Sequence, residues 1–212
     1  RAMWKMNLKK DEEIILAYQP CDTAVLKEYR GRGIFSKMTK IARKKALEEG
    51  SDIIFNFPTP LSLGGYLKLG WNSQPKICRY ISIEKPINVF LESFKNKWWT
   101  SPFIFEIPRV RINSKNLDYD LWQNKKKGSM ILSLSQKFLY WRLCLNPKIV
   151  YGLIKVSDQQ LVYRVGYRGK IKVVELVAWT KRTLDALDKK LIKKINNLEK
   201  PEIISVVSSD NG

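Results

Sequence analysis

Five consecutive residues, Tyr29-Arg30-Gly31-Arg32-Gly33, stand between an apolar run and a helical pattern, and their types suit the capture of an anion. Amides in the first turn of a helix have no acceptor inside the helix, and the aligned peptide dipoles place partial positive charge there. A phosphate fits that end. Gly31 and Gly33 allow φ > 0 and a close approach of the main chain to a ligand, while Arg30 and Arg32 can neutralise its charge. The same residues would also make a plain basic turn with a glycine cap. The chain contains no histidine. A Ser-His-Asp triad, a histidine base and the usual zinc sites are therefore excluded, and no metal is expected. Proton transfer falls to carboxylates, Tyr, Lys, Cys or water. Asp22 lies at the start of the apolar run before the loop and Glu28 beside the loop, and either could relay a proton through water or simply be solvated.

The 212 residues carry 39 Lys+Arg against 20 Asp+Glu, a net charge of +19, which favours anionic partners. The excess is dispersed, with no basic run longer than Lys125-Lys126-Lys127. Dispersion reads as a solvated lysine-rich surface, so nucleic acid is not an expected partner. Three widely spaced cysteines, Cys21, Cys78 and Cys144, make neither a disulfide framework nor a metal pair, and point to a reducing, cytoplasmic compartment. No apolar stretch approaches the ~20 residues of a bilayer span, and no signal peptide is visible.

The elements that must position the loop follow from periodicity. A strand-like alternation over residues 2–8, a turn at residues 9–13 and an apolar run from Ile14 to Tyr18 come first, and Pro20 separates them from a strand at Thr23–Leu26. A helix from Gly33 to Gly50 is predicted, with Ile34, Met38, Ile41, Ala42 and Leu47 on its inner side. Ile53–Phe57 reads as a buried parallel strand, giving a β-α-β crossover. A short helix with Tyr66 closes at Gly70-Trp71, and a strand at Ile77–Ile83 ends before Pro86. Residues 87–135 read as a connecting segment, with an alternating run from Phe103 to Ile112. Residues 136–212 continue as a helix stopped at Asn146-Pro147, three strands, a long helix from Leu184 to Leu198 and a last strand at Ile203–Val207. Trp71 and Trp141 read as core aromatics.

The stretch from Asp22 to Trp71 resembles the core of the GNAT acyl-CoA N-acyltransferase superfamily. Arg30, Gly33 and Phe35 fill its Gln/Arg-x-x-Gly-x-Gly/Ala loop, with Phe35 replacing the final small residue, and Tyr66-Leu67-Lys68-Leu69-Gly70-Trp71 fills its closing motif. The resemblance implies an α/β (α+β) fold with a mixed sheet flanked by helices, and acetyl-coenzyme A as co-substrate. It implies that Arg30, Gly31, Arg32, Gly33, Ile34 and Phe35 hold the pyrophosphate, with the Phe35 side chain turned away from it. It also implies that the pantetheine arm pairs with the strand edge carrying Val25. Tyr66 falls where the family keeps the acid that protonates the leaving thiolate; a phenol with an ordinary pKa near 10 can do this, and the same tyrosine could be a core residue. Asp22 faces the expected cleft as candidate base. Asn56 could bond the cofactor amide or satisfy a strand end.

The second half repeats the order helix, strands, helix, strand, and resembles a further, degenerate GNAT-type module. Its junction, Trp179-Thr180-Lys181-Arg182, has no glycine, so it is expected to bind no cofactor and to serve as scaffold or acceptor surface. The expected division is residues 1–86 with the pyrophosphate loop, a connecting segment and start of the second module at 87–135, and the second module at 136–212, within a longer protein. Three functions fit these residues. They are acetyl transfer to an amine of a small, sugar- or nucleotide-linked acceptor, Fem-type aminoacyl transfer from aminoacyl-tRNA, and a non-catalytic basic nucleic-acid-binding or assembly role.

Overall fold

The computed structural model describes residues 1–73, 78–123, 130–132, 135–180 and 189–208. In chain order they form β1 (Ala2–Lys10), β2 (Glu13–Cys21), α1 (Ile34–Glu48), β3 (Ile53–Ile54), α2 (Pro60–Lys68), β4 (Cys78–Ile83), α3 (Pro86–Lys95) and β5 (Phe103–Glu106). There follow α4 (Tyr119–Gln123), β6 (Met130–Leu132), α5 (Gln136–Leu139), β7 (Gly152–Val156), β8 (Gln159–Arg168), β9 (Ile171–Trp179), α6 (Lys189–Glu199) and β10 (Ile203–Ser208). The architecture is a mixed α/β one, divided into two compact units, Arg1–Gln74 with Lys125–Ser133 and Pro75–Asn124 with Leu134–Gly212. No helix among the described residues is long and apolar enough to cross a membrane.

In the first unit β1 and β2 form a hairpin, from Ala2 opposite Cys21 to Lys10 opposite Glu13. Asp11 turns it with φ 51, a left-handed conformation that Asp adopts more readily than most residues. β6 pairs antiparallel with β1, and β3 pairs parallel with β2, giving the order β3-β2-β1-β6. Sequence periodicity did not signal β6, because three residues are too few to show alternation. α1 lies between β2 and β3 and ends at Glu48, with Glu49 as its cap and Gly50 at φ 80. Its inner face differs from the expected one. Ile41 and Leu47 are 51% and 54% exposed, whereas Thr39 and Ala46 are buried and Phe35, Met38 and Ala42 half-buried. β3 is half-buried rather than buried, and of the expected strand Ile53–Phe57 only Ile53 and Ile54 pair in register with β2.

In the second unit the sheet order is β4-β10-β9-β8-β5, with β7 also paired to β8. β9 and β10 are parallel and the other pairs antiparallel. The core lies beneath α6, where Leu191 and Ile195 meet Leu161, Tyr163, Val165, Val174, Leu176 and Val206. Val89 of α3 packs with Ile171, Val173 and Ile203. Burying a polar group is tolerable only when it is bonded. Glu199 accordingly accepts from the Tyr163 hydroxyl and the Arg109 amide, both at 2.8 Å. Burial, reinforced by Glu199, drives the Tyr163 phenol far above its usual pKa. The strand expected at Phe103–Ile112 stops at Glu106, two residues before Pro108, whose missing N–H ends a ladder. The apolar run after Pro86 forms α3. Trp141, expected in the core, is 53% exposed. Leu184, Leu187, Lys181 and Arg182 lie outside the described residues.

Candidate active site

α1 starts behind two glycines in the left-handed region, Gly31 at φ 79 and Gly33 at φ 71. A Cβ on either would meet nothing within 4 Å, so backbone conformation, not space, requires glycine there. A single 3-10 turn at Lys27–Tyr29 uses the preceding amides, Tyr29 donating to the Leu26 carbonyl at 3.0 Å and Arg30 to the Lys27 carbonyl at 3.2 Å. The first bond into α1 runs from the Lys37 amide to the Gly33 carbonyl at 3.0 Å. Between these, among the described residues, the amides of Gly31 through Ser36 donate to no protein group. The first turn of α1 holds no acidic side chain to occupy them. Arg30 Nε donates to the Val25 carbonyl at 3.1 Å, and Arg32 Nη2 to the Glu28 carbonyl at 3.3 Å, with its guanidinium 5.3 Å from the Tyr29 ring centre. Both arginines are thus held beside a run of free donors at the positive end of a 15-residue helix.

The strand leading to this loop is β2, not the expected Thr23–Leu26, which is irregular. Asp22, at φ 47, breaks the extended chain one residue after Cys21. Val25 therefore sits on no strand edge, and its carbonyl is taken by Arg30. The open edge lies earlier. The residues flanking β3 donate to β2, from the Asp52 amide to the Leu16 carbonyl at 2.9 Å and from the Phe55 amide to the Tyr18 carbonyl at 3.1 Å. The next residue of that parity is Pro20, which has no N–H. Pro20 remains in register with Met3 of β1, so proline is tolerated because its missing donor falls on the side where β3 has already left. Beyond Phe55, Asn56 turns its Oδ1 back to the Phe57 amide at 2.9 Å, and Pro58 follows. Two parallel strands that stop pairing next to a cradle of free amides leave main-chain groups open on both.

Solved structures share the fold. A GCN5-related N-acetyltransferase from Kribbella flavida matches with a TM-score of 0.60 and 17% identity, over 99% of this chain and 50% of its own. The chain has the GNAT fold. Eis1 from Mycobacterium abscessus matches with a TM-score of 0.54 at 12% identity, covering 96% of this chain and 52% of its own. Saccharomyces cerevisiae N-myristoyltransferase, solved with myristoyl-CoA bound, gives 0.54 at 8%, covering 97% and 59%. This chain thus spans about half the length of these GNAT proteins. In sequence, neither a family model nor a curated protein matches it.

Within the GNAT fold, α2 brings Tyr66 against α1. Pro60 at its first position and Thr59 before it start the helix. Gly70, at φ 77, ends it, with the Trp71 amide bonded to the Tyr66 carbonyl at 3.2 Å and the Gly70 amide to Leu67 at 3.0 Å. This is a Schellman end, and the ring contact that accompanies it, Tyr66 to Trp71 at 4.9 Å, anchors the tyrosine. Tyr66 is buried, and its hydroxyl accepts from Arg1, which also donates to Thr39. Among the described residues its own proton has no acceptor. Phe35 meets the Tyr66 ring edge-on at 5.3 Å and fills a notch at Gly65, where a Cβ would come within 2.8 Å of the ring. The bulky side chain is therefore turned onto α2. Asp22 and Glu28 are exposed.

Sequence reasoning missed Pro20, Gly65 and Arg1. Gly64-Gly65 inside a helix was the available signal, since each glycine there is less favourable than Ala by about 1 kcal/mol and so asks for a packing reason.

Proposed function

We propose that the chain carries the cofactor-binding part of an enzyme that moves an acetyl group from acetyl-coenzyme A to an amine of a small, sugar- or nucleotide-linked acceptor. The observation that carries this reading is the run of uncommitted amides from Gly31 to Ser36 beside the point where β2 and β3 stop pairing. The pyrophosphate takes those amides, with Arg30 and Arg32 alongside, and the pantetheine lies along the open edge at Pro20 rather than at Val25. Asn56, whose Oδ1 accepts from the Phe57 amide, uses its Nδ2 to bond the pantetheine carbonyl in this reading. When bound, the thioester supplies an activated carbonyl: the amine nitrogen forms the new C–N bond as the C–S bond breaks. The Tyr66 proton, which no protein group accepts, goes to the departing sulfur, and Arg1 holds the phenol oxygen in place. Asp22, exposed at the end of β2, receives the amine proton through water.

Calorimetric titration with acetyl-coenzyme A tests this. Saturable binding is expected, lost in Gly33→Asp, which sets a carboxylate among the donors. Tyr66→Phe is expected to keep the affinity and lose turnover. At about 100 times its dissociation constant the ligand should stabilise the fold by about 2.7 kcal/mol. Retention of tRNA with no affinity for coenzyme A would overturn the reading in favour of aminoacyl transfer.

A further inference from the structure

One face of the second unit's sheet holds more positive charge than it neutralises. Glu175 on β9, with 6% of its side chain exposed, accepts at Oε1 from Arg79 Nη1 of β4 at 3.0 Å. Its Oε2 accepts from Arg164 Nε of β8 at 2.6 Å and from Arg164 Nη2. Arg168 Nη2 stands 3.8 Å from Oε1, and its Nη1 donates to the Ser101 carbonyl at 3.0 Å. Arg79 Nη1 also reaches Ser205 Oγ at 3.3 Å. Among the described residues no other carboxylate pairs with these three arginines. Arginine stays protonated throughout the working pH range, so two positive charges remain unmatched.

The surroundings strengthen that imbalance. Arg164 and Arg168 lie over the rings of Phe103 and Phe105 at 5.3 to 5.6 Å, which replaces water with aromatic faces. The register puts Val207 opposite Arg79 and Ile81 opposite Ser205, and these apolar side chains are 49% and 53% exposed on the same face. Nε and Nη2 of Arg79 and Nη1 of Arg164 have no acceptor among the described residues. Forked guanidinium donors match phosphate oxygens, and two unmatched charges match a dianion.

We propose that this face binds a phosphate monoester carried on an apolar body, its head on Arg79 and Arg164 and its body on Ile81 and Val207. The site is independent of the coenzyme A cradle. The test is an NMR titration of the arginine Nε–Hε signals of the whole chain with inorganic phosphate, hexyl phosphate and hexanoate. The Arg79 and Arg164 signals, assigned from Arg79→Gln and Arg164→Gln, should move saturably with hexyl phosphate. Affinity should fall about tenfold or more in Arg79→Gln, which leaves the Arg164–Glu175 pair and hence the fold intact by thermal melting. Hexyl phosphate should bind more tightly than inorganic phosphate and about tenfold more tightly than hexanoate. Gly33→Asp should change none of this, which separates the two sites. Unmoved arginine signals, unchanged affinity in Arg79→Gln, or hexanoate binding as tightly as hexyl phosphate would each overturn the proposal.

Discussion

The two units handle the junction after a central strand in opposite ways. In the first, the chain leaves β2 through Asp22 and two left-handed glycines, and the amides from Gly31 to Ser36 are left without a protein acceptor among the described residues. In the second, the chain leaves β9 through Thr180, whose amide donates to the Gln160 carbonyl at 3.0 Å and whose hydroxyl accepts from the Gln160 amide at 3.1 Å. Gln160 is itself fully buried and bonded to Trp122 and to the Asn116 carbonyl, both at 2.9 Å. The buried apolar clusters among the described residues all belong to the second unit. A densely packed region cannot leave donors open, because each would be buried without a partner. A more open region can keep some uncommitted.

The contrast breaks first at the core. Leu191→Ala, at a fully buried position, is expected to destabilise the protein by about 2–5 kcal/mol in chemical denaturation, with acetyl-coenzyme A affinity unchanged in the folded fraction. A loss near zero would mean that packing beneath α6 is not what holds that unit. In the cradle, Gly33→Ala is expected to cost about 1–2 kcal/mol, since it forces a Cβ residue to φ 71, and to weaken acetyl-coenzyme A binding.

Neighbouring glycines in α2 sharpen the picture by their signs. Gly65→Ala should destabilise by about 1 kcal/mol, the clash with Phe35 outweighing the better helix propensity, and Phe35→Leu should restore most of the loss. Gly64→Ala, in open space, should instead stabilise by up to about 1 kcal/mol. Thermal melts of the pair decide it, and equal effects would show that Phe35 does not restrict the space at Gly65.

The smallest effect is electrostatic. Burial works to raise the Glu202 pKa, but Lys85 at 2.8 Å and the Lys172 amide at 2.9 Å outweigh it and hold the carboxyl below its ordinary 4.5. Its contribution is therefore complete above pH 4.5 and is lost as pH falls through the lower folded-state value. Glu202→Gln should flatten that acid limb of a stability-versus-pH curve while leaving coenzyme A binding untouched.

Local patterns were legible where local physics decides them. The hairpin of β1 and β2, the extent of α1 to Gly50, the end of α2 at Gly70-Trp71 and the run β7, β8, β9 and β10 all follow from alternation, helical spacing and glycine stops. Pro20 was misleading, because a proline reads as a break unless one knows which side of the strand has lost its neighbour. The inner face of α1 was also misjudged: Ile41 and Leu47 are apolar but exposed, and small Thr39 and Ala46 are buried. Apolar character along one helix shows only what could be buried.

The amino-acid order alone set the Gly31–Gly33 loop before a helix, the absence of histidine chemistry and the surplus of positive charge, since each depends on residue identity and close neighbours. Tertiary structure decided the rest. It placed Phe35 in the notch at Gly65, the Arg1 guanidinium on the Tyr66 hydroxyl, the open edge at Pro20 and three arginines around Glu175. These are contacts between residues far apart in the chain, and their geometry depends on how strands register and side chains pack, which no local pattern encodes.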